Sequence, residues 1–576
     1  MTPAGRWGLA LALLLCRPAG AADSEVDLAI RARDQGRAEE ALAHWSKATL
    51  RPEARGFVWN QLGWACAALR RLPEARDSFL KGMDRSATTA DRAESQLGLA
   101  VAARLEGQPR RALAPLRALL EQDPFDQASP LKSPFIMAAA NHEAARAATS
   151  LGEKARAAAY LRQCLNLDAL DLECLRDLAE AKAKAGDDRE AWLAYRRLLS
   201  LDPGDRRAAR EVEKLGAAVP EGLGVRRIGR PLLPPQPPEG EVRTESGPAL
   251  RVALFTGRDG RAGKATRVRF AVNSDFKVLA AAGGAVLGEG RAQRRWEVDF
   301  RGEHGLLELR DESRNLVCTT TESFRIVPNG PAGSVLLQDA AFSERAAFDA
   351  GDRELRGAVS VRPGPGGFML VNEVGLEEYL YGAVSAALPR QSDSEAYKAQ
   401  AVVSRTRALW YRAHPGAGPD GADICDSEAC QRYLGLSEEM QAAAAAVRET
   451  AGVTLTQDGA VALALEHDDC GGLTEDGRGA QAPGAEALVS VADGERPASV
   501  GRTPGELELW THEYPPADSY CEASGINPPA ESRWMRIIPA ADIAERAGRS
   551  RDIGAVRQLV VRQRTATGRA QELEVV

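Results

Sequence analysis

The chain has 576 residues, 44% hydrophobic and 27% charged, an ordinary globular balance with length for roughly three or four domains. Its formal net charge of −7, without a basic stripe interleaved with aromatics, speaks against a nucleic-acid binder. Beyond the first residues no run reaches the ~18 apolar positions of a membrane span.

Arg6 precedes an apolar run from Trp7 to Cys16, and Ala19-Gly20-Ala21 then supplies a small-x-small cleavage site. Residues 1–21 thus read as a signal peptide, which predicts an exported protein of the periplasm or cell envelope. Export makes disulfides the expected state of the loop cysteines Cys425, Cys430, Cys470 and Cys521, with the pairing left open. Cys66, Cys164 and Cys174 lie in Ala-rich helical sequence and read as small core residues.

Residues 25–215 show a recurring spacing, Gly36-x4-Ala41-x3-Trp45 and Gly186-x4-Ala191-x3-Tyr195. Trp59, Leu62, Gly63, Ala75 and Phe79 fit a fuller form of the same pattern. Small residues let paired helices approach and the aromatic fills the gap, which predicts tetratricopeptide-like repeats of about 34 residues. Such an array offers a surface for a protein partner and carries no catalytic constellation. Residues 216–248, with Pro220, Pro231, Pro234, Pro235, Pro237 and Pro238, read as a semi-rigid linker.

From Leu250 onward short strand-like runs (LRVALF, TRVRFAV, WEVDF, FRIV) alternate with Gly, Asp and Asn. PGPGG predicts a hairpin between 357–361 and 368–374, and Asp458-Gly459 a second one. Gly283 to Gly290 reads as a turn between strands, and QELEVV at the C-terminus as a strand. Asp393 and Ser394 can cap a helix from Glu395 to about Ala413, with Ala396, Ala399, Val403, Thr406 and Trp410 on one face. The expected fold class is therefore multidomain: an all-α tetratricopeptide-like solenoid, then an α+β domain rich in short strands over 249–576, with its core at 328–576.

Several ordered motifs in this part resemble the SpoIID/LytB domain family of stage II sporulation protein D and the amidase enhancers. They are VNEVGLEEYLYGAV…LP…SEAYKAQAVVSRTRAL, then Asp423-Ile-Cys425-Asp426…Cys430-Gln431-x-Tyr433-x-Gly435, Cys470-Gly471-Gly472-x-Thr474, Ser519-Tyr520-Cys521 and Trp534. The resemblance covers about 250–576 and implies related domains that continue past Val576, which predicts an incomplete C-terminus. It implies a lytic transglycosylase of peptidoglycan glycan strands, in which one carboxylic acid protonates the glycosidic oxygen. General acid–base help of that kind supplies roughly 10²–10⁴ in rate.

The family's Ser-Glu-Met-Pro is Ala386-Ala387-Leu388-Pro389 here, so the acid's position holds Ala387. A methyl group delivers no proton, and the implied reaction should be lost or severely weakened. Glu378 and Glu395 are the fallback acids; the bland reading makes each a first-turn charge favoured by the helix dipole. The resemblance also places Arg405, Gln431, Tyr433, Gly471 and Gly472 at the glycan, with packing or a surface ion pair as the bland alternative. Zinc at Cys425, Cys430, His467 and Cys470 is the lesser reading beside disulfides, because the family's His before the second Cys is Ala429. No other cofactor is expected.

Overall fold

The computed structural model describes residues 24–121, 134–216, 232–234, 248–302, 305–343, 351–419, 421–477, 482–494, 503–512, 520–523, 532–549, 551 and 553–576. The expected signal peptide and most of the expected linker lie outside these residues. Two compact units divide the chain: Met1–Asp177 with Asp469–Asp476 and Val489–Val576, and Leu178–Asp468 with Gly477–Leu488. This division differs from the expected boundaries, because the tail of the expected 249–576 domain belongs with the repeats.

In the first unit helices pack pairwise: α1 (Glu25–Asp34) on α2 (Ala38–Ala48), α3 (Gly56–Ala68) on α4 (Leu72–Asp84), α5 (Thr89–Leu105) on α6 (Pro109–Leu120) and α7 (Pro134–Ser150) on α8 (Lys154–Leu167). Along the chain follow α9 (Leu172–Lys184), which spans the boundary at Asp177, and α10 (Asp188–Leu201) and α11 (Arg206–Gly216), which fall in the second unit. Each pair turns through a residue of positive φ, namely Gly36, Arg70, Gly107, Gly152 and Gly186. A residue in this left-handed region satisfies the end of the first helix, and glycine adopts it without strain. Five residues after each of these positions stands a buried alanine: Ala41, Ala75, Ala112, Ala157 and Ala191. The repeat visible twice in the sequence therefore runs through the whole helical part, hidden once by Arg70 in the glycine slot.

Phe79, with no exposed surface, fills the space between Gly63 and Gly98, where an added Cβ would approach its ring to 2.6 and 2.3 Å. Overpacking of this kind costs about 1–3 kcal/mol. Gly98→Ala is accordingly expected to lower the denaturation midpoint, measured by urea titration; an unchanged midpoint would show the slot to be looser than this.

His142 on α7 is buried with Nδ1 3.3 Å from Asp171 Oδ2 and Nε2 3.0 Å from Asp177 Oδ2. Burial alone would lower its pKa, but the hydrogen bonds to Asp171 and Asp177 outweigh this and raise it to about 9. A histidine raised above its ordinary ~6.5 stabilises the fold fully below that value. That stability is lost as pH rises through about 9. The melting temperature should therefore fall between about pH 6.5 and 9, and the fall should be smaller in His142→Gln.

The second unit is built on a sheet whose main path runs β4-β3-β8-β11-β12-β2-β5-β6-β7. Its strands are β1 (Ala249–Ala253), β2 (Ala265–Val272), β3 (Phe276–Ala280), β4 (Val286–Gly290), β5 (Arg295–Arg301), β6 (Leu306–Arg310), β7 (Leu316–Thr320), β8 (Phe324–Pro328), β9 (Ser334–Phe342), β10 (Arg353–Arg356), β11 (Ala358–Gly364), β12 (Gly367–Gly375) and β13 (Ile424–Cys425). The PGPGG hairpin is present as β11–β12, and β12 also pairs with β1. Gly283 and Gly284 form a turn, but Val286–Gly290 is strand β4 rather than turn, held by pairing with β3.

Helices α12 (Leu376–Ala387), α13 (Ser394–Ala413) and α14 (Gln441–Glu449) close one core with the sheet. The buried face of α13 is Tyr397, Ala401, Ser404 and Ala408, while Ala396 and Ala399 are exposed. The expected face holds in the second half of the helix, where Thr406 and Trp410 are buried, but in the first half Tyr397 and Ala401 take the core positions instead of Ala396 and Ala399. The second hairpin is much shorter than expected: β14 (Thr456–Gln457) pairs with β15 (Ala460–Val461) through Asp458 and Gly459, both at positive φ.

The C-terminal part of the first unit holds α15 (Pro504–His512), α16 (Tyr520–Ala523), α17 (Ala540–Ala547) and an antiparallel hairpin of β16 (Leu559–Arg564) and β17 (Ala570–Val575). QELEVV falls in β17 and its edge is paired by β16.

Candidate functional site

The motif segment that begins at Leu376 is formed where β12 runs directly into α12. Gly375 caps the helix in an extended conformation without a side-chain bond, and Glu377 and Glu378 stand in the first turn, where the dipole favours acids. Ala387 is the last residue of the helix and is exposed, with Leu388 already extended. Tyr397 Oη donates to Pro389 O at 2.7 Å, and Met440 N donates to Ser385 Oγ at 2.9 Å, so the chain around Ala387 is held from two sides.

Arg405 was expected at the glycan, yet only 1% of it is exposed. Its Nε and Nη2 donate to Glu377 at 2.8 and 2.7 Å, and its remaining N–H groups reach Val447 O and Val453 O, both at 3.1 Å. The guanidinium fork ties α12, α13 and the end of α14 together, a role that leaves it no face for a ligand.

Gln431 and Tyr433 are likewise buried. Tyr433 Oη donates to Asn372 Oδ1 at 3.0 Å, and Asn372 Nδ2 donates to the carbonyls of Arg356 and Ala358. Tyr379 Oη donates to Gln431 Oε1 at 3.0 Å, with the Tyr379 and Tyr433 ring centroids 4.8 Å apart. Gly382 is required beside them, since a Cβ there would come within 2.8 Å of the Tyr433 ring. Among the described residues Gln431 Nε2 makes no hydrogen bond. The motif residues thus interlock as a buried polar set.

Beneath the first turn of α12 lies a group that motif reading passed over. Arg356 Nε and Nη2 donate to Glu439 at 2.8 Å each, its guanidinium lies 5.8 Å from the Tyr381 ring, and Glu378 stands in the same field. Burial pushes the carboxyls of Glu378 and Glu439 above the ordinary range, against the pull of Arg356. A signal was present, the acid Glu439 following Tyr433 and Gly435, but its pairing with a strand residue 83 positions away is not legible in one dimension. Glu395, by contrast, opens α13 on the surface and pairs with Lys398 at 2.8 Å.

Cys425 and Cys430 are joined by a disulfide. Beside them Asp426 accepts from Phe255 N, Thr256 N and Thr256 Oγ1 and pairs with Arg353, anchoring the motif to the sheet. Two thiols of the lesser, zinc-binding reading are in that disulfide, as the disulfide reading expects, and His467 is exposed. Cys470 instead has its Sγ 3.5 Å from Cys521 Sγ, with Asp493 Oδ2 3.4 and 3.0 Å from the two sulfurs. Gly471 and Gly472, at positive φ, belong to this cluster in the first unit, where Gly471 O accepts from Arg533 at 3.0 Å.

Residues 365–457 match the SpoIID family, described as stage II sporulation protein, and constitute a SpoIID domain. The match is narrower than the expected 250–576 and contains Ala387, Arg405, Gln431 and Tyr433 but not the Cys470 loop. The helical part is similar to solved structures of repeat proteins. MamA is 19% identical, covers 28% of this chain and 86% of its own, with a TM-score of 0.23. YrrB, a TPR protein with an unusual peptide-binding site, is 17% identical over 33% and 92%, at 0.25. TTC0263, a thermophilic TPR protein in Thermus thermophilus, is 20% identical over 34% and 97%, at 0.26. Likeness at this level adds nothing to what the helix pairs themselves display. No curated protein matches the chain.

Proposed function

We propose that this is an exported cell-envelope protein whose SpoIID domain recognises peptidoglycan glycan strands without cutting them, while its repeats serve protein contacts. One observation supports this reading: the exposed end of α12, held by Tyr397 at Pro389 O and by Met440 at Ser385 Oγ, carries the methyl of Ala387 at the position that the resemblance aligns with the family's acid. The supporting frame of Arg405–Glu377, Tyr433–Asn372 and Tyr379–Gln431 is fully formed. A formed frame without an acid suits binding rather than turnover.

Sedimentation with insoluble peptidoglycan stripped of stem peptides should carry the purified protein into the pellet, with no anhydro-muramic products released. Protein left in the supernatant would favour a scaffold without glycan binding. A second reading, a transglycosylase with a displaced acid, is favoured by the raised carboxyls of Glu378 and Glu439. It requires anhydro products that disappear in Glu378→Gln.

A further inference from the structure

The odd-numbered helices α3, α5 and α7 pack on one another as well as on their own partners, forming a continuous row. The chain's own C-terminal residues lie along that row and against α1 on one side of it and the turn from α8 into α9 on the other. At its start Asp27 accepts from Gly505 N at 2.8 Å, and Arg33 donates to both carboxylate oxygens of Glu508 at 2.8 and 3.0 Å. His512 stacks edge-on to Phe57 with centroids 5.0 Å apart, and its Nε2 forms an ion pair with Glu94 at 3.3 Å. Farther along, Met535 and Ile537 pack against the core of α5 to α7, and Arg146 donates to Ile537 O at 2.9 Å. Arg536 donates to both oxygens of Asp168 at 2.7 and 2.9 Å, and Arg546 pairs with Glu173 at 2.5 Å.

Glu94, Asp168 and Glu173 are all at most 3% exposed. Buried carboxylates are tolerated when paired, and here cations of the tail pair them. Aliphatic side chains enter the core between these ion pairs. The row is thus matched in charge and shape to a segment that alternates arginine with large apolar residues, as in Arg533-Trp534-Met535-Arg536-Ile537.

We propose that this row is a peptide-binding surface whose resident ligand is the chain's own residues 503–512 and 532–549. An outside protein with the same arginine–aliphatic chemistry binds only by displacing it. This deepens the protein-contact half of the reading above and is independent of glycan binding, which the sedimentation assay reads separately. A tethered ligand acts at an effective concentration on the order of millimolar, so it suppresses a free competitor strongly.

The probe is a fluorescein-labelled synthetic peptide of residues 532–549, with binding followed by anisotropy on the full chain. The expected result is binding to the Arg536→Glu/Arg546→Glu variant at least about tenfold tighter than to the unaltered chain, and loss of that binding when Asp168→Arg is added. Equal binding to both chains, or none to either, overturns the proposal. Should the variant misfold, excess unlabelled peptide on the unaltered chain must accelerate amide exchange in 540–547; unchanged exchange there overturns it equally.

Discussion

Replacing Arg405 with alanine is expected to destabilise the SpoIID-containing unit by about 3–5 kcal/mol, the usual cost of leaving a buried charge without its partner. The side chain is 1% exposed and satisfies Glu377 together with two carbonyls from the end of α14 and the loop after it. Its loss leaves Val447 O unsatisfied in the core and the part-buried Glu377 carboxylate without its cation, and an unsatisfied buried group costs about 1–3 kcal/mol. Lysine should rescue only in part, because an ammonium cannot reproduce the two parallel bonds to Glu377. Urea unfolding of the wild type, Arg405→Ala and Arg405→Lys reads the order directly. An Arg405→Ala protein of wild-type stability that had lost only glycan binding would reinstate the ligand-contact role and sink the structural one.

Ala387→Glu is expected to create cleavage of stripped glycan strands, at roughly 10²-fold or more above the wild-type background if the acid was the missing group. The position suits the change. It is exposed, so the new carboxyl meets no desolvation on folding, and it ends α12, where the negative end of the dipole costs an anion about 0.3–1 kcal/mol. That repulsion favours the protonated form, which is the form an acid catalyst needs. Activity should therefore decline as pH rises through the carboxyl's pKa, and Ala387→Gln should stay inert. An Ala387→Glu protein that binds glycan but releases no anhydro products would show that more than the proton donor is absent from the site.

Sequence alone determined what depends on local chemistry. The spacing of glycine, alanine and aromatic residues follows from one helix pair and one turn, so repeats appeared in it directly. The β11–β12 hairpin and the helix cap at Asp393 are equally local, as is the alanine at 387. Tertiary structure decided where partners come from distant segments. Arg405 looked like a surface cation because helical spacing does not reveal that Glu377 and two α14-side carbonyls surround it. Glu439 was not singled out in the sequence, because its partner Arg356 and its neighbour Glu378 come from distant segments. The destination of residues 532–549 was likewise invisible, because Arg536 meets Asp168 across 368 positions. Ion pairs and buried cavities are set by three-dimensional proximity, and a periodic pattern encodes only the face a helix buries, never what will cover it.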